Sequence, residues 1–528
     1  MFGMFIWCAH LEAMVGLGML IFYGSLSPEV RREMGPGPAT LALAMPPIAF
    51  FLPKLFLLHI VYFLIVPVLA TRRSLIVPIY LFALMLLPDF RSPLMAGPVY
   101  FFYGTIYDSL GFGALLTMLT RFPAYSRIRP ASDIPVLLIM LVLMFGRSNF
   151  GSLTNLLRVY VELLLTYGLP YYIASRGVRS IDDVKRVMLY MACAAVMISA
   201  IMCYEALRTW PMYRILYTHY DVDFKGMVKL RSGWLRTTGT TIETTSMAFI
   251  LVPCFLAARC SRRAFASSRQ HIGVLCLLGL GLALPQSRGA LVGLLFAMTA
   301  MNIYLRRWAA VGGVAFLAIG IALAMLVVPA ESRLGSMLGK SAETAGTADY
   351  RKDLFWRGLE EIRKRPVLGA SETEVMANLE DLRQGEGIID FVNTYLYVAL
   401  VTGVVGLIPF VAGLAGQPLA LWKIRRGLPP RGADIDVMAF IFAGILAPME
   451  MLAFTSLGGR PSTFIMMLIG FAAALVSQRR YAVKAGMSSE VGDRRADVRS
   501  TQTNPSGVAM PEAGEWREPV PKGMGRPL

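Results

Sequence analysis

Residues 388–410 read IIDFVNTYLYVALVTGVVGLIPF. From Phe391 onward the stretch is apolar and long enough to cross a hydrocarbon core about 30 Å thick. It follows Pro329 to Asp390, a charged segment standing between long apolar runs. Together they describe a chain that lives in a membrane and keeps one large segment outside it.

Composition agrees. Of 528 residues, 56% are hydrophobic and 16% charged, against about 25% charged in soluble proteins, and the mean hydropathy is +0.57. Apolar runs recur from 3–23 to 460–477, with others at 42–70 and 99–120. They are continuous rather than alternating, which excludes a β-barrel. The expected fold is an all-α polytopic membrane protein of about 12–14 transmembrane helices, with one large outward loop containing an amphipathic helix. The start carries neither a basic n-region nor a small-residue cleavage site, so the first run reads as a span.

The net charge of +17 resides largely in short connections: Arg72 and Arg73, Arg121 to Arg129, Arg176 to Arg186, Arg259 to Arg269, Arg306 and Arg307, and Lys423 to Arg431. Their recurrence at alternate turns is a positive-inside pattern. It predicts cytoplasmic N and C termini and places 207–241 and 329–390 on the outward face. Residues 1–478 form the transmembrane domain; 479–528, rich in Pro, Gly, Ser and charge, read as a disordered cytoplasmic tail. The basic loops are too short, and too poor in aromatics, to bind nucleic acid. No cysteine falls in an outward loop, and no metal or other cofactor is expected; Asp221 and Asp223 have a metal-like spacing but lack further oxygen ligands.

The outward stretches share clustered cations. YTHYDVDFKGMVKLRSGWLRTTGT (217–240) carries His219, Arg231 and Arg236, LPQSRGALVGLL (284–295) carries Arg288 in a tight turn, and the large loop carries Arg351. Outward cations oppose the positive-inside bias, so an anionic ligand such as a diphosphate is the compensation they imply. In ADYRKDLFWRGLEEIRKRPVLGA (348–370), Tyr350, Leu354, Trp356, Leu359 and Ile362 recur at helical spacing, with Pro366 and Gly369 as stops. The stripe predicts a helix packed over the outer mouth of the bundle. Arg158 and Glu162, four apart within a run, are expected to neutralise each other. Lys54, His59, Asp108 and Glu450 also fall at or near membrane depth.

The order RTTGT, QSRGALVGLL, then YRKDLFWRGLEEIRKRPVLGA and VNTYLYVALVTGVVGLIPF resembles the O-antigen ligase and polymerase family over about Leu230 to Phe410. The resemblance implies a multi-pass glycosyltransferase of the bacterial cell inner membrane with one large periplasmic loop, acting at the periplasmic face on undecaprenyl-diphosphate-linked oligosaccharide, with outward arginines holding the diphosphate. Arg236 and Arg288 match those positions, with Arg231 nearby; Arg351, Asn393 and Tyr395 complete the expected substrate contacts. The family's ligases place a histidine before the asparagine of the NTYL motif, where this chain has Val392. Valine takes no proton, which favours the polymerase branch, with Asp390 or Glu386 as proton acceptor and Arg288 meeting the leaving group's charge. A flippase and a chain-length regulator are the implied partners. One alternative is a ligase handing the glycan to a lipid or protein, with His219 as base. The other is a polysaccharide-related transporter, although no internal repeat is apparent.

Overall fold

The computed structural model describes residues 2–88, 90–96, 98–123, 130–147, 152–222, 228–231, 233–329, 332, 342–383, 389–428 and 432–479. Glu386, Asp223 and the 479–528 tail beyond its first residue lie outside them. The protein is an all-α polytopic membrane protein. Its long apolar helices include Gly3–Ser25, Ile181–Arg208, Thr394–Gly427 and Gly459–Arg479. Ile181–Arg208 is the axle. Its small and flexible side chains, among them Ala192, Ala194, Ala195 and Met197, are buried on every side, and Phe2–Ser25, Ile76–Leu86, Thr244–Cys260 and Ser268–Ala283 pack around it. At the periphery, Trp308–Val327 exposes Phe316 at 78% and Leu326 at 77%. Leaving such side chains in water forgoes about 1.5–3 kcal/mol each, so this face belongs to lipid.

The helix ends sort onto two faces. On one, Arg73 pairs with Asp183 at 2.6 Å, Arg176 with Asp133 at 2.6 Å, Arg186 with Glu33 at 2.8 Å and Arg307 with Asp436 at 3.3 Å. Nearly all the basic connections gather there. The opposite face carries the Leu230–Leu235 segment, the 284–288 turn, the Ala342–Lys364 helix and the 452–458 connection.

Three sequence expectations are corrected. The apolar run 42–70 is two helices, Gly37–Phe51 and Leu55–Leu69. They turn at Pro53 and Lys54 on the second face, where the Tyr220 hydroxyl donates to Ala49 O at 2.6 Å. Lys54 is therefore at a tip and not at membrane depth. The first helix ends on the basic face, where Ala266 N donates to Ser25 O at 2.9 Å, and begins on the second face, where Trp7 meets Trp210 edge to face at 4.2 Å between ring centroids. The run 99–120 begins as a hairpin, Arg91–Ala96 with Val99–Thr105, and becomes helix only at Ile106. Finally, Arg158 does not turn to Glu162. It donates to Phe101 O at 2.6 Å and Tyr100 O at 2.8 Å and lies over the Tyr100 ring, fastening the hairpin.

The large outer segment docks through backbone. Ala342–Lys364 packs Leu354 and Gly358 on Leu396 of Thr394–Ile424, within a cluster that includes Val375, Phe391 and Leu400. Trp356, expected in that packed stripe, is instead 54% exposed. Beyond it, residues 366–370 enter a break in Thr394–Ile424. Gly403 sits at φ 61°, and a Cβ there would stand 2.2 Å from Val367 O. Only glycine meets both demands. The carbonyl and amides freed by the break are satisfied by the docked turn: Ala370 N donates to Leu400 O at 2.8 Å, and Val404 N to Pro366 O at 2.9 Å, as broken backbone in a bilayer requires.

Candidate functional site

Four separated stretches converge on one cavity. It has a volume of about 140 Å³ and is lined by Arg231, Arg236, Arg288 and Arg351, with Gln286, Ser287, Gly289, Thr245, Met451, Phe454 and Thr455 beside them.

Its wall begins with the turn between Ser268–Ala283 and Arg288–Tyr304. Gln286 adopts φ 54°, turning the chain so that the carbonyls of 284–286 face the neighbouring hairpin. Arg231 Nη1 donates to Gln286 O at 3.0 Å and Arg236 Nε to Pro285 O at 3.1 Å. Each arginine thus spends part of its fork on positioning itself. The Ser287 hydroxyl does not cap the Arg288–Tyr304 helix, so that helix directs backbone N–H groups and the positive end of its dipole toward the cavity. Nε and Nη2 of Arg288 are buried without a hydrogen-bond partner among the described residues.

The electrostatics follow. Burial, then Arg231, and at greater remove Arg288 and Arg351, push the Arg236 guanidinium down to about 10, with Glu243 opposing. Two like charges on the order of 6 Å apart repel by about 3 kcal/mol at an effective dielectric constant near 20. A polyanion among the four cations converts that repulsion into attraction.

Behind the arginines, the 237–241 turn is clamped by two buried charges that sequence reading did not single out. Glu205, 1% exposed, accepts from Met212 N at 3.0 Å and Gly239 N at 3.1 Å. Arg460, 2% exposed, donates to Thr240 Oγ1 at 3.0 Å and Leu87 O at 2.6 Å. Each is a lone charge in an apolar run, and only the tertiary structure reveals what it holds.

The remaining candidates stand apart from the cavity lining. Asp390 is exposed, its backbone N–H donating to the Tyr350 hydroxyl at 3.0 Å; since Tyr350 precedes Arg351, this places Asp390 toward the rim. Asn393 caps the helix that follows, its Oδ1 accepting from Leu396 N at 3.0 Å. Tyr395 donates its hydroxyl to Met449 O at 2.6 Å, and Thr394 donates from N to Leu452 O at 2.9 Å and from Oγ1 to Thr455 O at 2.8 Å. This first turn therefore fixes the 449–455 wall. His219 is engaged elsewhere, with Nε2 donating to Leu52 O at 2.8 Å. Among the described residues no three His, Cys, Asp or Glu side chains are grouped as metal ligands.

Residues 272–411, about a quarter of the chain, match the family model described as O-Antigen ligase. The matched segment contains Arg288, Arg351, Asn393 and Tyr395, while Arg231, Arg236 and the 449–455 wall lie outside it. No curated protein matches the chain. The similarity supports a membrane glycan-processing enzyme.

Proposed function

We propose that this protein polymerises lipid-linked oligosaccharide repeat units at the periplasmic face of the bacterial inner membrane, by glycosyl transfer from a polyprenyl diphosphate. The observation that carries the reading is the cavity of four arginines at an uncapped helix N-terminus, with Arg288 nitrogens left unpartnered. A diphosphate offers acceptor oxygens and charge matched to that set, and guanidinium forks bind it without a metal ion. As the anomeric carbon–oxygen bond breaks, negative charge grows on the departing diphosphate, and donors already in place stabilise it.

The basic face, with its short Arg- and Lys-rich connections, is read as cytoplasmic by the positive-inside rule. The cavity then opens to the periplasm, where undecaprenyl-diphosphate-linked glycans are presented by a flippase, and the Phe2 end is periplasmic. Val392, in place of the histidine implied for ligases, favours polymerisation over ligation; a chain-length regulator would then be a natural partner.

The test is the lipid-linked glycan pool of a deletion strain. Accumulation of single repeat units with loss of polymer is expected. Normal polymer length with free, unattached polymer would select the ligase reading, and an unaltered pool would remove both.

A further inference from the structure

The donor pocket leaves one requirement unmet. Transfer to a hydroxyl releases a proton, and among the described residues the cavity is lined by four arginines and no carboxylate. We propose that Glu450 receives that proton; the inference rests on the glycosyl-transfer reading above.

Glu450 is the penultimate residue of Ala433–Met451, and Met451, Phe454 and Thr455, which follow it, form one wall of the cavity. Its Oε2 is buried and has no hydrogen-bond partner among the described residues. The side chain faces Arg288–Tyr304 at Gly293, where an added Cβ would stand 3.1 Å from Oε2. Gly293 lies little more than one helical turn beyond Arg288. On another side is the first turn of Thr394–Ile424, whose Tyr395 bonds the carbonyl of the residue preceding Glu450. Glu450 therefore sits where three helix ends meet: the end bearing Arg288, the end bearing Val392 and Asn393, and its own.

A buried carboxylate oxygen with no partner among the described residues is costly, and ionisable residues within membrane helices mark function. Gly293 lets this helix end approach closely, since a Cβ there would stand 2.6 Å from Met451 Cγ, but it offers Oε2 no polar partner. Neither carboxylate lines the cavity itself, but Glu450 directly precedes Met451, which does, whereas Asp390 is exposed. In the step, the acceptor hydroxyl gives its proton to Glu450 Oε2 while its oxygen pair bonds the anomeric carbon. The bond from that carbon to the phosphate oxygen breaks, its pair staying on the diphosphate, and Glu450 later returns the proton to water.

The experiment compares Glu450→Gln, Glu450→Asp and Arg288→Ala in cells lacking the native copy. It reads polymer by gel, and undecaprenyl diphosphate binding to each purified protein in nanodiscs. Glu450→Gln is expected to lower polymer by about 100-fold or more, the scale of general-base catalysis, with diphosphate binding retained. Glu450→Asp should recover part of the output. Wild-type polymer from Glu450→Gln at wild-type protein levels would overturn the proposal, as would loss of both Glu450 variants from the membrane, which would make the residue a packing element. Undiminished diphosphate binding by Arg288→Ala would instead overturn the donor pocket itself.

Discussion

At the scale of the residue, the protein gathers cations in one cavity and holds them in two ways. Arg231 and Arg236 are anchored on carbonyls of the 284–286 turn, whereas two Arg288 nitrogens have no partner among the described residues. Arg288→Ala should therefore abolish polymer while the protein stays in the membrane, and Arg288→Lys should rescue it only in part, since a point charge loses the bidentate fork; immunoblot and polymer gel check both. Asp390→Asn is expected to cost far less than Glu450→Gln in the same assay, because Asp390 faces solvent. Glu205→Ala would strand the Met212 and Gly239 amides, at about 1–3 kcal/mol each, which thermal unfolding in detergent would register. The four arginines of the cavity were legible in the sequence because charge stands out against an apolar chain. Glu205, Arg460 and the setting of Glu450 were not, since their partners are distant in sequence and only folding brings them together.

At the scale of the element, hydropathy located the helices but not their breaks. The 42–70 run hides a turn at Pro53 and Lys54, and the VYFFYGT stretch is as apolar as a span although it forms a strand. Short apolar aromatic runs do not distinguish the two by periodicity alone. The amphipathic helix of the outer segment was foreseen, but its seat at Gly403 was not, because a glycine at positive φ inside an apolar run looks like any other small residue. Gly403→Ala is expected to unseat the 366–370 turn: beyond the backbone strain, of order 1–3 kcal/mol, its Cβ would overlap Val367 O. Limited proteolysis of the 342–383 region should then accelerate relative to wild type.

At the scale of the whole molecule, one face is neutralised by ion pairs between basic connections and acidic helix starts, and the other concentrates cations in a cavity. Cysteines at Ser371 and Gly3 should be labelled by an impermeant thiol reagent in intact spheroplasts, and one at Ser268 only after permeabilisation; the reverse pattern would invert the chain and remove the periplasmic substrate. The central claim, that the arginine cavity holds a polyprenyl diphosphate, is tested most directly by titrating the purified protein in nanodiscs with undecaprenyl diphosphate. Saturable binding that is lost in Arg288→Ala and weakened in Arg236→Ala is the predicted result. Equal binding by wild type and both variants, or none by wild type, would contradict it.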